Sequence, residues 1–219
     1  MKRLSPSRVT ETLACLKKAR ANVFGADSHG FRLNLPLPEE DVAAFEQLHK
    51  ITLPQDYREF LISIGNGGAG PFYGLYPLGT MDDNFGFKVW QENDGLVGIL
   101  SEAFPLDQEW NDLSALPEED LPDRDQSEYD RQIEVFDKIY WNSSLVNGAI
   151  PICHEGCALR IWLVVTGVQA GCIWEDRRSE YGGLSRLRLA DGSPATFAPW
   201  YDEWMNACLA EKNAPTKVK

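Results

Sequence analysis

The run Cys153-His154-Glu155-Gly156-Cys157, with Cys172 farther along, brings together the residue types that bind zinc or form a thiol nucleophile. Structural zinc sites place closely spaced Cys or His pairs on two separate segments. Here the second segment supplies one thiol, so no metal is expected. A Cys-His nucleophile needs its imidazole within reach of the sulfur, and neighbours on a strand point to opposite faces. The other histidines are His29 and His49, and no nucleophile elbow accompanies any of the three. Glu175-Asp176-Arg177-Arg178 offers two carboxylates, but a glycosidase needs them flanking a bond at a set separation. The run reads instead as a solvated turn after Trp174. The glycines from Gly65 to Gly70 lack the Gly-Lys-Ser/Thr of a phosphate loop and follow a helix, not a strand. No catalytic residue and no cofactor is expected.

The surrounding elements can be read from punctuation and period. Ser5-Pro6 opens a helix on which Val9, Leu13, Leu16 and Val23 share a face, with Gly25 as its stop. Phe31, Leu33 and Leu35 alternate with polar neighbours, as in a short strand or extended stretch. Pro38-Glu39-Glu40-Asp41 begins a second helix with an acidic first turn and Val42, Phe45 and Leu48 as its apolar face. A third lies between Pro54 and Gly65, where Tyr57, Phe60, Leu61 and Ile64 fall at i, i+3, i+4 and i+7. Short runs at Phe72–Leu78, Phe85–Trp90, Ala149–Ile152, Leu159–Thr166 and Gly171–Trp174 predict strands. Ile133, Phe136 and Tyr140 suggest an amphipathic helix. Trp200, Tyr201, Trp204 and Leu209 form the face of a last one, where helical spacing favours core packing over stacking on a ligand. Helices, then strands, then a helix indicate an α+β fold: N-terminal helices and a C-terminal helix packed on a twisted, largely antiparallel sheet.

With 219 residues, 43% hydrophobic and 25% charged, the chain suits a single domain, residues 1–219, carrying an insertion at about 107–147. No apolar run approaches the roughly 20 residues of a membrane span, and the basic start is not followed by the apolar stretch of a secretory signal. Five cysteines fit reduced thiols in the cytoplasm. The net charge of −12 is local: Glu92 to Asp137 holds fifteen acidic residues against Arg124 and Arg131. The rest is close to neutral, with only a weak basic patch near the N-terminus. Direct nucleic-acid binding, which needs a basic surface, is not expected.

The stretch from Leu53 to Leu78 carries the most specific pattern. Leu53-Pro54, Asp56-Tyr57-Arg58, Phe60-Leu61, Gly65-Asn66-Gly67-Gly68, Gly70-Pro71, Tyr73-Gly74-Leu75 and Pro77-Leu78 follow one another. A second block runs Ile150-Pro151-Ile152, Gly156-Cys157, Leu163 to Gly167, Gly171 and Ile173-Trp174. Together with the aromatic segment Phe197–Trp204, these resemble the SUKH superfamily, in the branch of the yeast cell-wall-assembly regulator domain and many bacterial immunity proteins. The resemblance covers roughly Phe31–Leu106 and Ala149–Trp204. It implies helices on a twisted antiparallel sheet and, for bacterial members, a non-enzymatic role binding and neutralising polymorphic toxins. Pro54, Tyr57, Phe60, Gly65, Asn66, Gly67, Gly68, Gly70, Pro71, Gly74 and Trp174 then read as structural signature positions. The glycines would allow positive φ in succession, Cys157 would be a small core residue, and the strand from Phe72 would return against the Tyr57/Phe60/Leu61/Ile64 stripe.

Partner choice is expected to lie in the acidic segment, at Glu118, Glu119, Asp120, Asp123, Asp125 and Glu128. Its field would speed association with a basic toxin domain. A regulatory module with endogenous partners is the alternative.

Overall fold

The computed structural model describes residues 3–83, 86–118 and 125–213. It is an α+β structure whose core runs as one cluster from Val9 to Cys208. Helix α1 (Pro6–Ala19) begins with Pro at its first position and buries Val9, Leu13 and Leu16. It ends earlier than its apolar spacing predicts. Arg20 adopts φ 50°, its N–H returns to the Leu16 and Lys17 carbonyls, and Val23 lies beyond the helix. Gly25 precedes the single turn α2 (Ala26–His29). The Phe31–Leu35 stretch is extended, meeting Gly68 through Leu33 alone. In α3 (Glu39–His49) Val42 is buried, whereas Leu48 is exposed and does not share its face. Helix α4 (Gln55–Ser63) buries Tyr57, Phe60 and Leu61, while Ile64 falls just past its end and is only partly covered.

The main sheet is an antiparallel meander of β3 (Ala149–Gly156), β4 (Leu159–Val164), β5 (Ile173–Asp176) and β6 (Leu184–Arg186). Register places Trp162 beside Trp174, both fully buried, and Trp174 beside Arg186, whose guanidinium lies 5.6 Å from the indole centroid. A hairpin, β1 (Thr80–Asp83) and β2 (Gly86–Val89), stands apart as a two-stranded ladder. No regular strand forms over Phe72–Leu78. Phe72 takes φ 53°, and only Leu75 and Tyr76 reach the free edge of β3, where Tyr76 N–H donates to the Ile152 carbonyl at 2.9 Å. At the opposite edge Trp110 and Leu184 exchange backbone hydrogen bonds at 2.8 and 2.9 Å, so the start of the acidic segment lines β6.

Helix α5 (Gln126–Tyr140) rises from that segment, and α6 (Phe197–Asn213) closes the chain. The aromatic partners of the α4 stripe come from α6, not from a strand after Phe72. The Phe197 ring lies 4.8 Å from Tyr57 and 5.0 Å from Phe60, and Tyr201 lies 5.1 Å from Phe60. Edge-on and tilted contacts of this kind add to the area that aromatic rings bury. Among the described residues no helix is long and apolar enough to cross a membrane.

Candidate functional site

The signature segment is a turn held from several directions. Gly67 and Gly68 take φ 78° and 98°, and a Cβ on Gly68 would stand 2.5 Å from the Arg32 carbonyl oxygen. Gly65 and Gly70 do not adopt positive φ. They are small because Asn34 and Leu33 crowd one and Leu75 the other. Gly74 has φ 104°, packed on the Gly68 carbonyl. Asn66 accepts from Leu78 N–H through Oδ1 at 2.7 Å, and its carbonyl accepts from Asn34 Nδ2 at 2.8 Å. Pro54 sits immediately before α4, its carbonyl accepting from Arg58 N–H. Asp56, buried on α4, accepts from Ala198 N–H at 3.0 Å and so caps α6 across 142 residues. Tyr201 ties α6 to the turn by donating to the Ala69 carbonyl at 2.8 Å. These bonds join helix, turn and sheet, and none of them leaves a reactive group open.

The Cys153-His154-Glu155 stretch lies on β3, where two bulges interrupt the ladder. Cys153 is buried and donates to the Pro71 carbonyl at 3.2 Å. Burial, then Glu155, pushes its thiol well above the ordinary range, so the sulfur stays protonated. His154 is sandwiched between Tyr73 and Tyr76, with centroids 5.1 and 5.7 Å away. Burial lowers its imidazole, against the pull of Asp82. Burial works to raise the Asp82 carboxyl, but the Tyr76 hydroxyl and then Arg160 at 3.3 Å outweigh it and hold it low. An inert thiol beside a clamped imidazole is not an activated nucleophile. Cys157 is exposed at the β3–β4 turn with φ 51° and is not the small core residue expected. All five cysteines are unpaired. Among the described residues no group of three or more His, Cys, Asp or Glu is arranged to hold a metal ion.

Charges at the end of β5 depart furthest from expectation. Asp176 and Arg178 form a buried ion pair, not a solvated turn, with bonds of 2.6 and 2.9 Å. Asp176 also accepts from the Trp162 indole N–H at 3.2 Å. Arg178 donates to the Tyr140 carbonyl at 3.2 Å and lies 5.1 Å from the Trp141 ring centroid, so the pair fastens the end of α5 to the sheet. The Tyr140 hydroxyl donates to Asn111 at 2.7 Å and accepts from Gly183 N–H at 3.1 Å. Nothing in the local pattern of two acids and two arginines distinguishes this pair from a surface turn.

Among the acidic positions, Glu118 is exposed, whereas Glu119, Asp120 and Asp123 lie outside the described residues. Asp125 caps α5, accepting from Ser127 and Glu128 N–H at 2.9 and 3.4 Å. Glu128 is bonded to Arg131 and Gln132, which lower its carboxyl to about 2. Both therefore have work within the helix. Farther along, α5 turns Val135 and Ile139 outward, 45% and 50% exposed, with Glu134 and Asp137 exposed on the same helix. The model of the SMI1 / KNR4 family (SUKH-1) matches residues 36–182, more than half of the chain. The chain belongs to that family. No curated protein and no solved structure matches it. The SMI1 / KNR4 match takes in the signature turn, runs across the acidic segment and ends before β6. Its boundary therefore leaves out α1, α2 and the Phe197–Trp204 segment, although that segment supplies the rings packed on α4.

Proposed function

We propose that this member of the SMI1 / KNR4 family is a non-catalytic binding protein of the cytoplasm, an immunity protein that occupies and neutralises a cognate bacterial toxin domain with a basic surface. Residues 1–219 form one domain on this reading, with the acidic stretch at about 107–147 as an insertion that the core carries and the partner meets. The observation that carries it is the outer face of α5: Val135 and Ile139 exposed one turn apart, amid carboxylates, on a helix fixed to the sheet at its C-terminal end. An apolar centre within a charged rim is how protein interfaces are built. The charge imbalance of the segment supplies steering toward a basic partner. The inert Cys153 thiol supports a binding role over a hydrolytic one.

Co-expression with toxin genes encoded nearby tests the reading: growth should be restored by the cognate pair. Failure with every neighbouring toxin would leave the second reading, a regulatory module with an endogenous partner, which family membership equally supports. Neutralising Glu118, Glu134 and Asp137 together should slow association at low salt. An unchanged rate would remove the acidic segment from the interface.

A further inference from the structure

A groove of about 450 Å³ opens between α6, the turn after α1 and the start of the Phe72 turn. Its walls include Phe24, Phe72, Trp200 and Trp204, and two carboxylates from different elements reach it, Glu155 of β3 and Glu211 of α6. Phe24 is 61% exposed, held only from one side by the Tyr73 ring at 5.1 Å. We propose that this groove is a binding site for a cationic side chain, an arginine or lysine presented by a segment of a protein partner, with the head group between Glu155 and Glu211 and the methylene stem along the aromatic walls.

The chemistry selects that occupant over an uncharged one. Aromatic faces carry negative electrostatic potential and attract cations, and both carboxylates add to that field. Glu155 has one cationic neighbour, Arg177 at 3.7 Å, too far for a tight hydrogen-bonded pair. Burial, then Glu175, pushes the Glu155 carboxyl up, so its charge is poorly compensated while the groove is open. Among the described residues Glu211 makes no ion pair. A guanidinium would stack on the indole of Trp204 and present its fork of donors to a carboxylate, the geometry that favours arginine over lysine. An anionic or carbonyl-rich ligand would meet repulsion from walls and rim alike.

The inference rests on the reading of the chain as a protein-binding module, but its test needs no partner. The full chain is titrated with N-acetyl-argininamide and, in parallel, with the uncharged N-acetyl-citrullinamide, following the indole N–H resonance of Trp204. The arginine probe should bind with a Kd on the order of 1 mM and the citrulline probe at least about tenfold more weakly. Phe24→Ala and Glu155→Gln should each weaken the arginine probe by about 3- to 10-fold. Glu134→Gln, on the distant α5, should leave it unchanged, which separates the groove from the general attraction of an acidic protein. Equal binding of the two probes, no response at Trp204, or an equal loss in Glu134→Gln would overturn the proposal. So would binding seen only after removal of residues 214–219, since Lys217 and Lys219 would then make the chain its own occupant. A groove that takes the probe in a chain that rescues no toxin keeps this inference and removes the immunity reading; rescue with an inert groove does the reverse.

Discussion

The Asp176 carboxylate grips the Arg178 guanidinium through two hydrogen bonds in the interior, and the same guanidinium reaches the last carbonyl of α5. One ion pair therefore links the central strands, through Trp162, to the helix that carries the acidic outer face. Burying two charges is costly, and such a pair persists because each member is fully hydrogen-bonded.

Removing one partner should be far worse than removing both. Arg178→Met is expected to cost about 3–5 kcal/mol in urea unfolding and to raise amide exchange along α5. The double replacement Asp176→Leu, Arg178→Met should recover most of that stability. Equal losses in the single and double variants would show that the pair is not the fastening.

Capping of α6 by Asp56 makes a second prediction. Asp56→Ala leaves Ala198 N–H without its acceptor and should lower stability by about 1–2 kcal/mol. Asp56→Asn, which keeps an acceptor oxygen, should lose less. Exchange protection at the first turn of α6 would report the difference.

Glycine substitutions separate crowding from backbone strain. Gly68→Ala must place a Cβ 2.5 Å from the Arg32 carbonyl at φ 98°, and should cost more than about 3 kcal/mol. Gly95→Ala has nearly the same φ, 95°, with nothing within 4 Å of the new atom, and should cost about 1 kcal/mol. Thermal unfolding of the two variants measures the contrast directly.

His29 gives the fold an acid-sensitive position. Its ring is buried, Nδ1 accepts from Phe31 N–H at 3.1 Å, and burial lowers the imidazole below its ordinary value. The unfolded chain therefore takes up the proton first, so this residue's share of stability is intact above the unfolded value and is lost as pH falls toward the folded one. Between about pH 7 and pH 5 the Tm of the protein should fall more steeply than that of His29→Asn, whose Oδ1 can replace Nδ1 as acceptor. Parallel curves would assign the acid sensitivity elsewhere.

Helices were the most legible elements. In α4, Pro54, the Tyr57/Phe60/Leu61 stripe and Gly65 are all local signals, and they agree. Segments whose shape depends on remote neighbours were not legible. Phe72–Leu78 has the composition of a strand, but its backbone follows the crowding around Gly68, Gly74 and Leu75. The three residues of β6 and the four of β1 are too short to show a period, and their partners define them. Adjacent charges at Asp176 and Arg178 resemble a surface turn because burial is not written in the run itself. The groove was invisible for a related reason: Phe24, Phe72, Glu155 and Trp204 come from four separated stretches.

Tertiary closure also dictates when the chain can fold during synthesis. Asp56 waits 142 residues for Ala198, and Arg8 reaches across 194 to Asp202. Until α6 leaves the ribosome, the aromatic stripe of α4 has no cover from Phe197 or Tyr201, and α1 lacks its ion-pair partner. The sheet can assemble while translation continues, but the helical layer cannot. A ribosome stalled before Phe197 would thus present an exposed apolar surface, the kind that chaperones bind and that aggregates when left unattended.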